Sequence, residues 1–420
     1  MYITFVIALV TVLSNADKNI LSVLLVPIQQ DLHVSDTAMG ALTGIAFSLV
    51  YATIALPMAR IADRGNRRNL ISIAVAFWSV MTFVCGLATS YITLLLARIG
   101  VAAGEAAAAP SQSSMVGDLF SYKHRGAALG FITVGSLVGL SGGAFLAGWI
   151  TEAHSWKVAF MVLGAPGLLV ALLMFFTVPE PKRGVHETLS DADDPVSENW
   201  RTSMRYLLSV KSLRGLMIAQ IFVGVSFTGY LTWLPAFLMR VHHMGTAEMS
   251  LWYGIAIGVG GALANVVGGI VSDRLARRGT RWRLYFMAVM MLAAAPIVVA
   301  ALVATHLPTV ITTMIIYSFA AGGATAVGGA TLLELIRPKM RGVGVAVFLF
   351  CTSVVGGGGG PLLLGAISDY MKAEHGEEAL RYSLMIVPVF LVLAAIGFFI
   401  SSWRADADAA AAGRPDIATS

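Results

Sequence analysis

Charge is scarce in this sequence. Asp, Glu, Lys and Arg make up 12% of its 420 residues, about half the roughly 25% of an ordinary soluble domain, while 57% are hydrophobic and the mean hydropathy is +0.79. That balance excludes a soluble globular protein. Cysteine is scarcer still: Cys85 and Cys351 both fall inside apolar runs, where a thiol acts as a small buried hydrophobe and says nothing about redox compartment. All eight histidines lie in loops or at the ends of runs, so any proton carrying falls to carboxylates. The signatures G-x-x-x-x-G-K-[ST], H-E-x-x-H and G-x-S-x-G are missing. Nothing implies an enzyme, a metal, a cofactor, a nucleotide or a nucleic acid.

What is present is a series of apolar runs of about 20 residues, the length that crosses roughly 30 Å of hydrocarbon as a helix. Twelve are expected, over 2–26, 39–62, 69–89, 91–116, 126–150, 157–178, 213–240, 249–272, 282–304, 309–333, 342–366 and 381–403. Lys157, Arg240, Lys372 and Arg381 flank the odd-numbered loops, and Lys18 and Arg98 sit inside runs; every other Lys and Arg lies around the even-numbered loops or in the tail. By the positive-inside rule both termini are cytoplasmic. Met1 leads straight into apolar sequence with no basic stretch and no small-x-small site before Asp17, so a cleaved signal peptide is not expected and an N-terminal tail would lie upstream of Met1.

The longest interruption, 179–212, separates six runs from six. The expected organisation is an N-terminal bundle over 1–178, a cytoplasmic linker over 179–212, a C-terminal bundle over 213–403 and a tail over 404–420. In the linker, Trp200, Met204, Leu207 and Leu208 fall on one helical face with Arg201, Arg205 and Lys211 elsewhere, a pattern for a helix lying on the membrane interface. The halves echo each other. ARIADRGNRR (59–68) matches GGIVSDRLARR (268–278), with Asp63 aligned to Asp273, and GDLFSYKHRG (117–126) matches LELIRPKMRG (333–342), with an acid seven positions before an Arg in each. Internal duplication of six-helix halves is a construction of secondary transporters, whose substrate site lies between the halves.

The repeated D-R-x-x-R-R loop resembles the signature of the major facilitator superfamily, and NADKN, LLARIGVAAGEAAAAP and the glycine-rich eleventh run resemble its Spinster branch in a bacterial form. The resemblance implies two pseudo-symmetric six-helix bundles, a bacterial inner-membrane location, and a monomer that moves a lysolipid or sphingoid-type lipid with protons. Two departures stand out: Ala59 replaces the Gly that usually opens the first loop motif, and Lys18 stands where the branch usually has Arg.

Four ionisable residues lie deep in the runs: Asp17, Lys18, Arg98 and Glu105. Such residues are expensive in a bilayer and default to function. Arg98 and Glu105 are seven apart, so they share a helix face about 10 Å from each other; Asp17 and Lys18 point about 100° apart, so only one of them faces Arg98 directly. The expected mechanism is an exchange in which Arg98 pairs with Asp17 or Glu105 and is drawn away by an anionic substrate, tying proton uptake to substrate binding. The loop residues Asp63, Arg64, Arg67 and Arg68, with Asp273, Arg274, Arg277 and Arg278, are expected by resemblance to latch a cytoplasmic gate. Phe222, Phe227, Tyr230, Trp233 and Phe237 of the seventh run are candidate cavity aromatics, and Gly356–Gly360 is expected to pack the eleventh run closely on the eighth or second, or to let it bend. The function expected is proton-coupled export of an amphipathic or anionic solute by alternating access, among membrane lipids. The alternatives are a sugar-phosphate or organic-anion carrier of the same fold, or an uncoupled facilitator.

Overall fold

The computed structural model describes residues 2–120, 122–181 and 199–413. Most of the acidic linker and the end of the tail lie outside them, as do the side chains of Asp63 and Arg125. The first half holds α1 (Tyr2–Leu32), α2 (Asp36–Thr43), α3 (Ile45–Arg64), α4 (Arg67–Cys85), α5 (Tyr91–Leu119), α6 (Tyr122–Ala153) and α7 (Trp156–Thr177). A short α8 (Trp200–Ser209) leads to α9 (Lys211–Val241), α10 (Thr246–Ala276), α11 (Thr280–Val303) and α12 (Leu307–Leu335). The chain then forms α13 (Arg341–Leu349), α14 (Gly359–His375), α15 (Ala379–Leu384) and α16 (Val387–Ala411).

Among the described residues, eleven helical stretches are long and apolar enough to cross a membrane. The last, Pro338–Ala411, runs 74 residues, about 110 Å of helix and enough for two passes. It is divided at Gly376, whose φ of +57° an L side chain rarely adopts. Twelve passes result. Large apolar side chains such as Leu56, Ile73, Leu169 and Phe176 lie exposed on the helices, as hydrocarbon rather than water requires. Side chains of Asn66, Ser90 and Ser155 accept from backbone N–H groups at the starts of α4, α5 and α7, which fixes where those passes begin.

The chain forms two compact units, Met1–Ala192 with Leu234–Gly258, and Asp193–Trp233 with Val259–Ser420. In the first, α4 packs on α5 and α7, and α1 on α6. In the second, α11 packs on α12 and α16. The pairings of α4 recur in α11 six passes on, so the repeat read from the loops is also a repeat of packing.

Two local expectations are corrected. The glycine run of the eleventh pass packs on the seventh, not on the eighth or second: a Cβ at Gly356 would come within 3.0 Å of Gly224 Cα, and one at Gly360 within 2.4 Å of Val225 O. Just before α14, residues Phe350–Gly358 form a wide i→i+5 turn, so the irregularity lies ahead of Pro361 rather than at it. The short α8 turns Leu207 and Ser203 inward and leaves Trp200 and Leu208 exposed. Tyr206 Oη donates to Leu335 O at 3.3 Å and lies under the Arg337 guanidinium. That anchor rotates the 200–204–208 row outward.

Candidate functional site

Small residues set the geometry. Gly135, Gly139 and Gly143, one turn apart on α6, lie against Ala8, Val12 and Ala16 of α1; a Cβ at Gly139 would come 2.2 Å from Val12 O. With that side of α1 seated on α6, Asp17 and Lys18 meet α4 and α5. Gly104 lets α5 approach Trp78 of α4, since a Cβ there would sit 2.8 Å from the Trp78 Cβ. Glu105 follows directly and is buried in the same contact.

The four charges form two rungs. Arg98 Nη1 donates to Asp17 Oδ2 at 3.0 Å, and Thr82 Oγ1 donates to Asp17 Oδ1 at 2.7 Å. The Arg98 guanidinium also lies over the Phe47 ring, 5.4 Å from its centroid. Lys18 Nζ lies 3.2 Å from Glu105 Oε2 and 5.5 Å from the centre of the Tyr51 ring. The neighbours Asp17 and Lys18 thus reach α5 residues two turns apart, Asp17 taking Arg98 and Lys18 taking Glu105. Both Glu105 oxygens are buried and accept no hydrogen bond of good geometry among the described residues, so the Lys18 ammonium is their counter-charge.

A cavity of about 230 Å³ opens beside this pair, lined by Thr11, Asn15 and Lys18 of α1, Tyr51 of α3, and Glu105 and Gln112 of α5. Lys18 is 39% exposed, whereas Asp17, Arg98 and Glu105 are almost fully buried. The cavity therefore presents one accessible cation, Lys18, whose charge balances the three buried ones behind it.

The candidate cavity aromatics divide. Tyr230, Trp233 and Phe237 are fully buried, so none of them presents surface to a cavity, whereas Phe222 and Phe227 are half-buried. Trp233 Nε1 donates to Pro361 O at 2.9 Å. Tyr230 meets Tyr317 of α12 edge to face, their rings 4.6 Å apart, and neither buried hydroxyl has a partner among the described residues.

The loop residues also divide. Arg67 is buried: Nε donates to Glu180 at 2.8 Å, Nη1 to Ser114 at 2.9 Å and to Asp118, and Nη2 to Pro181 O at 2.9 Å. Arg64, Arg274, Arg277 and Arg278 are exposed. In the second unit the buried cation is Arg283, 2.5 Å from Glu334 and 3.7 Å from an exposed Asp273. Arg283 follows Arg67, and Glu334 follows Asp118, by the same 216 positions. Matching the loops at Asp63 and Asp273 hid this, because the second loop is longer and pairs Arg67 with the exposed Arg277.

A further cluster was missed. Arg240 of α9 donates to both oxygens of Asp36, at 2.8 and 2.9 Å, and to Gln29, while Gln29 Nε2 donates to Asp36 at 2.7 Å. Asp36 is fully buried. Nearby, Glu152 accepts from Ala247 N at the start of α10 (2.7 Å), and Tyr253 Oη donates to Asn19 at 3.2 Å. The one available signal was a lone arginine on the side poor in basic residues.

Comparison with known proteins follows the same lines. The model for the Major Facilitator Superfamily matches residues 7–361. An MFS-type efflux pump of Mycolicibacterium smegmatis is 33% identical over 408 residues, 95% of this chain and 92% of that protein. The probable galactarate/D-glucarate transporter GudP of Bacillus subtilis is 30% identical over 302 residues, 66% of each. A crystal structure of a bacterial homologue of the human lysosomal transporter Spinster, inward-facing and unoccupied, superposes with a TM-score of 0.87 at 27% identity, covering 97% of this chain and 98% of that one. With motif, packing repeat and backbone in agreement, this chain belongs to the Major Facilitator Superfamily and is a transporter, similar along nearly its whole length to the Spinster branch.

Proposed function

We propose that this transporter moves a small anionic, amphipathic solute by proton-coupled alternating access, with Asp17, Lys18, Arg98 and Glu105 as its coupling and substrate residues. The observation that carries the reading is the exposure of Lys18 in a cavity whose other charges are buried. An anionic head group is drawn to that cation. Thr11, Asn15 and Gln112 offer hydrogen bonds in its lining, and Ile7, Val116 and Ile132 offer apolar surface, a mixture that suits a lysolipid or sphingoid-type lipid. Protons travel on the carboxylates. Protonating Asp17 forfeits an ion pair and a hydrogen bond from Thr82, whereas protonating Glu105 forfeits one ion pair to a partly solvated lysine. Glu105 is therefore the group that exchanges its proton during transport.

The bundles 1–178 and 213–403 act as the moving bodies, with 179–212 as their cytoplasmic tether and 404–420 as a cytoplasmic tail. Asp63, Arg64, Arg67, Asp273 and Arg274 belong to the latch on the cytoplasmic side. The Asp36–Arg240–Gln29 cluster holds the opposite side. The protein works as a monomer in a bacterial inner membrane with both termini cytoplasmic.

A second reading, a sugar-acid carrier, is favoured by the uncharged polar row of the cavity and by the likeness to the B. subtilis protein named for galactarate and D-glucarate. One experiment separates the readings. Liposomes holding the purified protein and a pH-sensitive dye receive a lysolipid or a sugar acid, in wild type and Glu105→Gln. The expected result is proton flux that depends on one of the two solutes and is lost in the variant. Solute movement without proton flux, equal in both proteins, would leave an uncoupled facilitator.

A further inference from the structure

The outward face of α8 plays no part in the cavity or in the loop clusters. On its inner side, Ser203 and Leu207 are buried, and a Cβ at Gly344 of α13 would sit 3.6 Å from Leu207 Cδ2. Tyr206 is tied to Leu335 O, with the Arg337 guanidinium 5.0 Å from its ring centre. The helix is therefore seated, and its outward face has one fixed orientation. That face is graded. At about 100° per residue, Trp200, Met204 and Leu208 fall along one edge, Arg201 and Arg205 along the next, and Thr202 and Ser209 beyond them. Trp200 is 53% and Leu208 56% exposed, and both arginines are exposed. Among the described residues neither arginine forms an ion pair. An apolar edge beside a basic edge matches the boundary between acyl chains and head groups.

We propose that α8 binds an anionic phospholipid of the leaflet it faces, with the phosphate held between Arg201 and Arg205 and the acyl chains lying along Trp200, Met204 and Leu208. Residues four apart on a helix stand about 6 Å from each other, so the two guanidinium groups bracket one phosphate, whose oxygens match their planar forks. Lys211 and Arg214 at the start of α9, and Arg337 beside Tyr206, are exposed too. That field favours a head group of net negative charge over a zwitterionic one, whose own cation it repels. The size of the face also selects a lipid. Ten residues of helix span about 15 Å, room for one phospholipid and far less than a stable protein interface needs. The lipid is a resident partner and not the transported solute, since α8 belongs to the second unit and the cavity residues to the first. Because α8 rests on α13 and leads through Val210 into α9, an occupied site steadies that part of the second unit.

The test uses the purified full-length protein in an uncharged detergent, with dioleoyl phosphatidylglycerol, dioleoyl phosphatidylcholine or glycerol 3-phosphate added. Bound molecules are counted, and affinities measured, by mass spectrometry of the intact protein. Phosphatidylglycerol should be retained and should raise the unfolding temperature; phosphatidylcholine should bind more weakly, and glycerol 3-phosphate should do neither. Arg201→Gln/Arg205→Gln should weaken phosphatidylglycerol binding about 30-fold, the attraction of two arginines for an anionic surface. Without lipid its unfolding temperature should match the wild type, because both positions are exposed. Trp200→Ser should weaken both phospholipids alike. Arg277→Gln/Arg278→Gln removes the same charge from exposed positions of another element and should leave retention unchanged, as should Lys18→Gln. Equal binding of the two phospholipids overturns the proposal and leaves an apolar surface only. Retention of glycerol 3-phosphate leaves an anion site without a lipid, and equal losses in the two double variants leave a diffuse positive field; either overturns it. Loss of the lipid in Lys18→Gln puts it in the cavity of the first unit, and no retention by the wild type removes the site altogether.

Discussion

In the first unit, α1 and α5 meet through two cations and two carboxylates; in the second, their counterparts six passes on, α9 and α12, meet through the neutral rings of Tyr230 and Tyr317. Both contacts are buried and both are polar, but they fail differently. A buried ion pair is costly to break one-sidedly, whereas a buried hydroxyl without a partner is costly to keep. Duplication therefore supplied two similar scaffolds, and the deep charges were kept in one of these two contacts. Charge deep in the first unit suits a site that exchanges ions, while the equivalent contact of the second unit is held by neutral rings.

The largest blow to this contrast should come from Arg98→Met. It strands Asp17 with Thr82 alone and is expected to cost about 3–5 kcal/mol, read as a large drop in thermal unfolding temperature in detergent. The double variant Asp17→Asn/Arg98→Met should recover much of that loss. A double variant no more stable than Arg98→Met would mean that the pair is not the coupled unit described. Next, Asp36→Asn should cost about 2–4 kcal/mol, because it leaves the Arg240 fork with half its acceptors changed in a buried cluster. An unfolding temperature equal to that of the wild type would show that the cluster does not hold α9 against α1 and α2.

Lys18→Gln sharpens the contrast from the other side. Its ammonium is partly solvated, so stability should change by no more than about 1 kcal/mol, while solute-dependent proton flux disappears. The smallest effect should belong to the second unit: Tyr230→Phe and Tyr317→Phe each remove a buried hydroxyl without a partner and should leave stability unchanged or raise it by about 1 kcal/mol. A clear loss in either variant would reveal a hydrogen bond through water and blur the division between the units.

Much of this was legible in the chain. The twelve passes follow from apolar length, and the four charges stand out because hydrocarbon tolerates so few. The pairing of those charges was not legible. Helix periodicity says that Asp17 and Lys18 diverge, but which α5 residue each one meets depends on how α1 crosses α5, and the glycines of α6 set that crossing. Arg283 was obscured by a difference in loop length, which shifts the alignment of every residue after the aspartate. Asp36 and Arg240 are 204 positions apart, and no local pattern couples them. The exposed row of α8 shows the same limit: the periodicity was right, and the anchor at Tyr206 decided which edge turned inward.

The division of the chain into two units carries one more consequence. It cuts through two continuous helices, α9 between Trp233 and Leu234 and α10 between Gly258 and Val259. Each of these helices thus contributes residues to both compact units. Both cuts fall at mechanically soft places. Pro235 lies one residue past the first and removes a backbone N–H from the helix ladder. Gly258, Gly260 and Gly261 surround the second, where the backbone resists bending least. Two membrane helices of this transporter thus carry their helix-softening residues where its compact units meet along the chain.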